Sequence, residues 1–124
     1  MKLINKTKNK IIATNVIDRK GTGAIIGLIP YKIRNEYIYD YLKWRKFGEN
    51  DVMVFKVRGK GSVHTWFMSF PISVFFLNKD MKVTDKVKLE PFEIYKPKKK
   101  YEYFIELDSS WIDEIRIGDK LNIE

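Results

Sequence analysis

The run Ile72-Ser73-Val74-Phe75-Phe76-Leu77, entered from Pro71 and left through Asn78-Lys79-Asp80, constrains the fold more than any other stretch. It is too short for a helix of ordinary length and rich in the β-branched and aromatic residues that favour an extended backbone. Its apolar residues follow one another instead of alternating, which predicts a strand covered on both faces. Such a strand belongs in a small closed barrel or in one covered by helices. Val52-Met53-Val54-Phe55-Lys56-Val57 repeats the pattern. Arg58-Gly59-Lys60-Gly61-Ser62 then reads as a turn, and Val63 to Met68 as a further strand.

The flanking segments extend this β reading. Residues 2–5 and 10–17 are expected to form an opening hairpin across Lys6-Thr7-Lys8-Asn9. Asn78-Lys79-Asp80-Met81 reads as a tight turn into Lys82–Leu89. There Val83, Asp85, Val87 and Leu89 alternate with Lys82, Thr84, Lys86 and Lys88, the signature of a half-exposed strand. Pro91 and Pro97 bracket a loop, and Tyr101–Leu107 returns to strand. Asp108-Ser109-Ser110 supplies an N-cap for a short helix over 111–115, and a Gly118-Asp119 turn launches a last strand over 120–123. From Ile33 to Phe47 two readings compete. Ile33, Tyr37, Tyr41 and Trp44 share one face of a helix, whereas Tyr37, Tyr39 and Tyr41 also alternate as a strand would. The expectation is a mainly β (α+β) fold: a small compact β-barrel-like domain with one or two short helices. A chain of 124 residues, 44% hydrophobic, suits one domain over 1–124 with a single core.

Composition removes several chemistries. With no cysteine there are no disulfides, no thiolate catalysis and no cysteine-ligated metal, and one histidine, His64, leaves few routes to a transition-metal site. No metal or cofactor is therefore expected. No segment has the length of a signal peptide's apolar stretch or a membrane span, so a cytoplasmic protein without membrane contact is the expectation. The formal charge of +8 is uneven: residues 101–124 are net acidic, leaving +13 on residues 1–100. That asymmetry suits a face for polyanions, and equally a solubilising lysine surface. Lys43, Arg45 and Lys46 adjoin the aromatics of 33–47, and Lys98, Lys99 and Lys100 form a second cluster. Aromatics interleaved with cations stack bases and neutralise phosphates in single-strand binders. Gly21-Thr22-Gly23-Ala24-Ile25-Ile26-Gly27 invites comparison with phosphate-cradling loops, but a dinucleotide site needs a βαβ unit and a parallel sheet that the following pattern does not announce.

The stretch His64-Thr65-Trp66-Phe67-Met68-Ser69-Phe70-Pro71 through Asn78 resembles the signature of the domain of unknown function 192 family. Val83 through Pro91, Tyr103-Phe104-Ile105-Glu106-Leu107 and Ile117-Gly118-Asp119-Lys120-Leu121 follow in the family's order, and Gly27-Leu28-Ile29 resembles an earlier element. The resemblance covers roughly residues 10–124. It implies a compact β-barrel-like fold with short helices and no established activity. Ser73 stands where the family usually carries aspartate, and 31–51 is longer than the family's usual connection.

No nucleophile–base pair or facing carboxylates stand out; Asp80, Asp85, Asp113 and Glu114 read as solvated surface. If His64, Trp66 and Met68 share a strand face, they could line a pocket to which Ser73 adds a hydroxyl, apolar walls with few polar groups being typical of small-ligand sites; the competing reading makes Trp66 and Met68 core filling. The expected function is a non-enzymatic ligand- or protein-binding module. The alternative is nucleic-acid binding through a basic face made of Lys43, Arg45, Lys46, Lys98, Lys99 and Lys100, and a second alternative is an unrecognised enzyme.

Overall fold

A computed structural model describes residues 1–19, 48–59, 61–64 and 70–124. Strand is the dominant element throughout, as the sequence predicts. β1 (Leu3–Asn5) and β2 (Lys10–Ala13) form the opening hairpin. Its turn ends on Asn9 at φ 52°, and the Asn5 side-chain oxygen accepts the Lys8 N–H at 3.2 Å. β10 (Leu121–Ile123) joins the other side of β1, giving a three-stranded antiparallel sheet in the order β10-β1-β2.

The segment expected to be one strand over 10–17 is two strands in two sheets. The chain breaks at Thr14, whose N–H donates to the Asn50 side-chain oxygen at 2.9 Å, and resumes as β3 (Asn15–Arg19). β3 is an edge of the main five-stranded sheet, in the order β3-β4-β9-β6-β7. Its other members are β4 (Asp51–Gly59), β6 (Ile72–Leu77), β7 (Val83–Leu89) and β9 (Tyr101–Asp108). β3 runs parallel to β4, pinned at its start by Asn15 Nδ2 donating to Asp51 Oδ1 at 2.7 Å, while the remaining pairs are antiparallel. One parallel pair therefore flanks the glycine-bearing connection, and among the described residues the other pairs of this sheet are antiparallel. The glycine loop 21–27, and the helix or strand expected over 33–47, lie outside the described residues.

Among the described residues, a two-stranded ribbon of β5 (Val63–His64) and β8 (Ile94–Tyr95) is separate from both sheets, and these do not close into a barrel. The expected strand over 63–68 is described only at Val63–His64. The helix expected over 111–115 is instead a single 3-10 turn, η1 (Ser109–Trp111), with Asp108 as its cap, accepting the Ser110 N–H at 3.1 Å. Beyond it Lys86 Nζ donates to the carbonyls of Ile112 and Ile115 at 2.6 and 3.0 Å, satisfying groups that a longer helix would have paired internally.

Two apolar clusters sandwich the main sheet. Val52, Val54, Phe75, Leu77, Ile105 and Leu107 pack against Leu3, Ile12, Ala13 and Leu121 of the small sheet. On the opposite face, Met53, Phe55, Ile72, Val74, Phe76 and Phe104 meet Val63, Leu89 and Tyr101, with Phe70, Val87 and Tyr95 partly buried beside them. Every residue of β6 is buried, which is what its uninterrupted apolar run predicts. The alternation over 82–89 does not keep one phase. A register shift opposite Phe76 and Leu77 leaves Val83 facing the small sheet while Val87 and Leu89 face the other way. Lys86, expected on a wet face, is consequently half-buried over the 112–115 turn.

Candidate functional site

β9 is the middle strand of the main sheet, flanked by β4 and β6. Alternation along Tyr103-Phe104-Ile105-Glu106-Leu107 turns Ile105 and Leu107 towards the small sheet and Phe104 and Glu106 towards the opposite, aromatic face. Register places Glu106 directly between Met53 of β4 and Val74 of β6. One step along the strand, Phe104 stacks on Phe55 with ring centroids 4.5 Å apart, and Phe76 stands 6.1 Å away on the other side. Glu106 is 5% exposed and has no hydrogen-bond or ion-pair partner among the described residues. Burial alone pushes its carboxyl up to about 8, so the side chain is predominantly a neutral acid at pH 7. A neutral carboxylic acid offers one O–H donor and one carbonyl acceptor, and leaving both unmet in an apolar setting costs free energy.

Val63 of β5 and Phe70, just before β6, both pack on this same face. His64 follows Val63 and pairs with Ile94; Trp66 and Met68 lie in the intervening segment, outside the described residues. Ser73 sits on the other face. Its side chain is fully buried, and its hydroxyl donates to the Asp108 carbonyl oxygen at 2.7 Å, with the Leu107 carbonyl 3.3 Å away. The hydroxyl thus ties β6 to the end of β9.

Among the described residues, the buried polar groups Asp119 and Asn5 and the half-buried Asp85 are hydrogen-bonded internally. Asp85, expected to be solvated, is half-buried and accepts the Tyr95 hydroxyl at 2.7 Å. That bond, followed by burial and the Asp85 charge, raises the Tyr95 phenol above its ordinary range. Asp119 Oδ2 accepts Asn5 Nδ2 at 2.8 Å and the Arg116 N–H at 3.0 Å. Burial by itself would raise this carboxyl, but the two hydrogen bonds and the charges of Lys8 and Arg116 outweigh it and hold Asp119 below the usual carboxylate range.

Of the basic candidates, Lys43, Arg45 and Lys46 lie outside the described residues. Lys98, Lys99 and Lys100 are exposed, and Lys100 shares a shallow cleft of about 250 Å³ with Lys79, Asp80 and Glu102. A second cleft beside Trp111 holds Lys10, whose Nζ is 5.5 Å from the Trp111 ring centroid and 3.8 Å from Glu114. Among the described residues no group of three or more histidine, aspartate or glutamate side chains converges on a metal position, and no helix is long and apolar enough to cross a membrane.

In the sequence Glu106 reads as one acid of the net-acidic 101–124 stretch and as a position in the strand Tyr103–Leu107, with no role of its own. The available signal was an acid inside Phe-Ile-Glu-Leu, a strand apolar at the positions on either side of it.

The family model described as uncharacterised ACR, domain of unknown function 192, matches residues 41–123. A UPF0127 protein of Pyrococcus furiosus is 35% identical over 127 residues, covering 96% of this chain and 95% of the relative. A UPF0127 protein of Pyrococcus abyssi is 33% identical over 72 residues, and that match spans 62% of the relative's length. Two solved structures share the fold. A Sinorhizobium meliloti protein described as a candidate transcription regulator superposes with a TM-score of 0.73 at 15% identity, over 98% of this chain and 89% of its own. A Novosphingobium aromaticivorans protein of unknown function gives 0.74 at 13%, over 98% and 82%.

Proposed function

We propose, for a chain that belongs to the domain of unknown function 192 family, that it is a non-enzymatic cytoplasmic module binding a small ligand on the aromatic face of its main sheet. One observation carries this reading: Glu106 is 5% exposed in the middle of that face with no partner among the described residues. Core positions are ordinarily apolar, and a buried polar group without a partner asks for an explanation that a bound molecule supplies. Acid–base catalysis would need a second convergent group, and Glu106 is hydrogen-bonded to none of the described residues. The ribbon of β5 and β8 packs over the same face through Val63 and Tyr95, and its ladder is two residues long. So short a ladder is the least costly part of the cover to open. His64, Trp66 and Met68, on or beside that ribbon in the chain, are the further residues proposed to contact the ligand. Glu106 supplies the polar anchor, because the hydroxyl of Ser73 is already engaged.

The test is a methyl-labelled sample titrated with uncharged aromatic fragments such as toluene, indole and phenol. Saturable shifts at the methyl of Met53 and the methyls of Val74 are expected. No concentration-dependent shift at either residue, for any of these up to millimolar concentration, overturns the reading.

A further inference from the structure

Trp111 ends the 3-10 turn η1 and lies half-buried beside the start of β2. Its indole Nε1 donates to the Glu49 carbonyl at 3.0 Å, which orients the ring and keeps Glu49 in the same cleft. Ser110 and Glu114 complete the walls around a volume of about 250 Å³. Lys10, the first residue of β2, reaches in, its ammonium 5.5 Å from the Trp111 ring centroid and 3.8 Å from Glu114 Oε2. The cleft thus sets two carboxylates against one ammonium. The Glu49 carboxylate has no hydrogen-bond or ion-pair partner among the described residues. Its neighbours are committed elsewhere: Lys8 Nζ donates to the Glu114 backbone carbonyl at 2.6 Å, and the Ser110 hydroxyl donates to Asp108.

We infer that this cleft is a second binding site, for a primary alkylammonium group such as a lysine side chain or a free amine carries. The indole face attracts a cation more strongly than any other aromatic side chain. Glu49 and Glu114 supply charge for an ammonium, which has three N–H donors to share between them. Lys10 is the internal stand-in that marks the position. Both of its contacts are long and its side chain is 55% exposed, and an exposed pair of this kind contributes little to stability. An incoming amine therefore displaces it at small cost. An anion would face two carboxylates, and an uncharged ligand would gain nothing from them. The volume, below the roughly 300–1,000 Å³ of drug-sized sites, suits a single short chain with a charged head. None of these residues touches Glu106, so the inference stands apart from the reading of the aromatic face.

The indole N–H signal of Trp111 in a proton–nitrogen correlation spectrum reports on the cleft directly, and is identified by its loss in Trp111→Phe. Butylammonium, butanol, butyrate and Nα-acetyl-lysine methylamide are titrated into the full chain at low salt. Butylammonium is expected to shift the Trp111 signal saturably, while butanol and butyrate leave it in place. Removing the stand-in with Lys10→Ala should tighten butylammonium binding about fivefold, and Glu49→Gln should weaken it about threefold, the sizes of exposed charge contacts. Lys10 and Glu49 are both exposed, so neither variant threatens the fold. The lysine derivative binding as well as butylammonium supports the site with a polypeptide side chain as its ligand; butylammonium binding alone supports it with a free amine. No saturable shift in Lys10→Ala, equal affinity in Lys10→Ala and wild type, or butanol shifting the signal as strongly as butylammonium overturns the inference and leaves the reading of the aromatic face untouched.

Discussion

Asn5 and Asp119, 114 positions apart in the chain, meet in the interior, the Asn5 amide donating to Asp119 Oδ2 at 2.8 Å with 1% and 5% of the two residues exposed. The same carboxylate oxygen takes the Arg116 N–H, and the Asn5 carbonyl oxygen takes the Lys8 N–H. One hydrogen-bonded cluster thus locks the opening hairpin to the turn before β10. Asp119→Ala strands the Asn5 amide and the Arg116 N–H together and is expected to destabilise by about 2–4 kcal/mol. Asp119→Asn keeps an acceptor oxygen and should cost clearly less. Urea denaturation of both variants checks the order; equal losses would show that the charge, and not the geometry, holds the hairpin.

Glu106 gives the protein an unusual pH dependence. Its carboxyl is near 4.5 when unfolded and about 8 when folded, so between those values the folded state holds a proton that the unfolded state has lost. Stability from this group is therefore complete below pH 4.5 and falls as pH rises towards 8, by up to about 1.4 kcal/mol per pH unit. Tyr95 and Tyr101, which also reach this face, are both raised above their ordinary range and stay neutral throughout. Asp119 acts in the opposite sense: its contribution is present above its unfolded value and lost as pH falls through its lowered folded one. Thermal melts should peak in mildly acidic buffer. Glu106→Gln should flatten the decline towards pH 8; an unchanged decline would mean the carboxyl is not buried as described.

Lys86 caps the turn after η1 through the carbonyls of Ile112 and Ile115. Lys86→Met keeps the apolar stem but removes both hydrogen bonds, and is expected to cost about 1–2 kcal/mol. Lys86→Arg should recover part of that loss. A methionine variant with wild-type urea stability would show that water replaces the ammonium at no cost.

For the lysine cluster the expected outcome is weak binding to nucleic acid. Lys100 shares its cleft with Asp80 and Glu102, which breaks up a continuous cationic surface. Labelled single-stranded and duplex oligonucleotides titrated at two salt concentrations should show no submicromolar affinity, and replacing Lys98, Lys99 and Lys100 with glutamine should change little. Tight binding that weakens steeply with salt, by about 0.9 log units per log unit for each duplex phosphate neutralised, would instead support a nucleic-acid function.

What the chain determined by itself is what depends on near neighbours. The buried strand Ile72–Leu77, the Asn78–Met81 turn and the cap at Asp108 were legible because an uninterrupted apolar run, a turn residue's side chain and a free helix amide act over a few positions. The split of 10–17 at Thr14, the parallel course of β3 beside β4 and the register shift that separates Val83 from Val87 were decided elsewhere, by Asn50, Asp51 and the pairing with β6. The candidate site belongs to the same class. Glu106 counts as one more surface acid until β4 and β6 close on either side of β9, because burial is set by which strands pair and in what register, and a local pattern carries no record of distant partners.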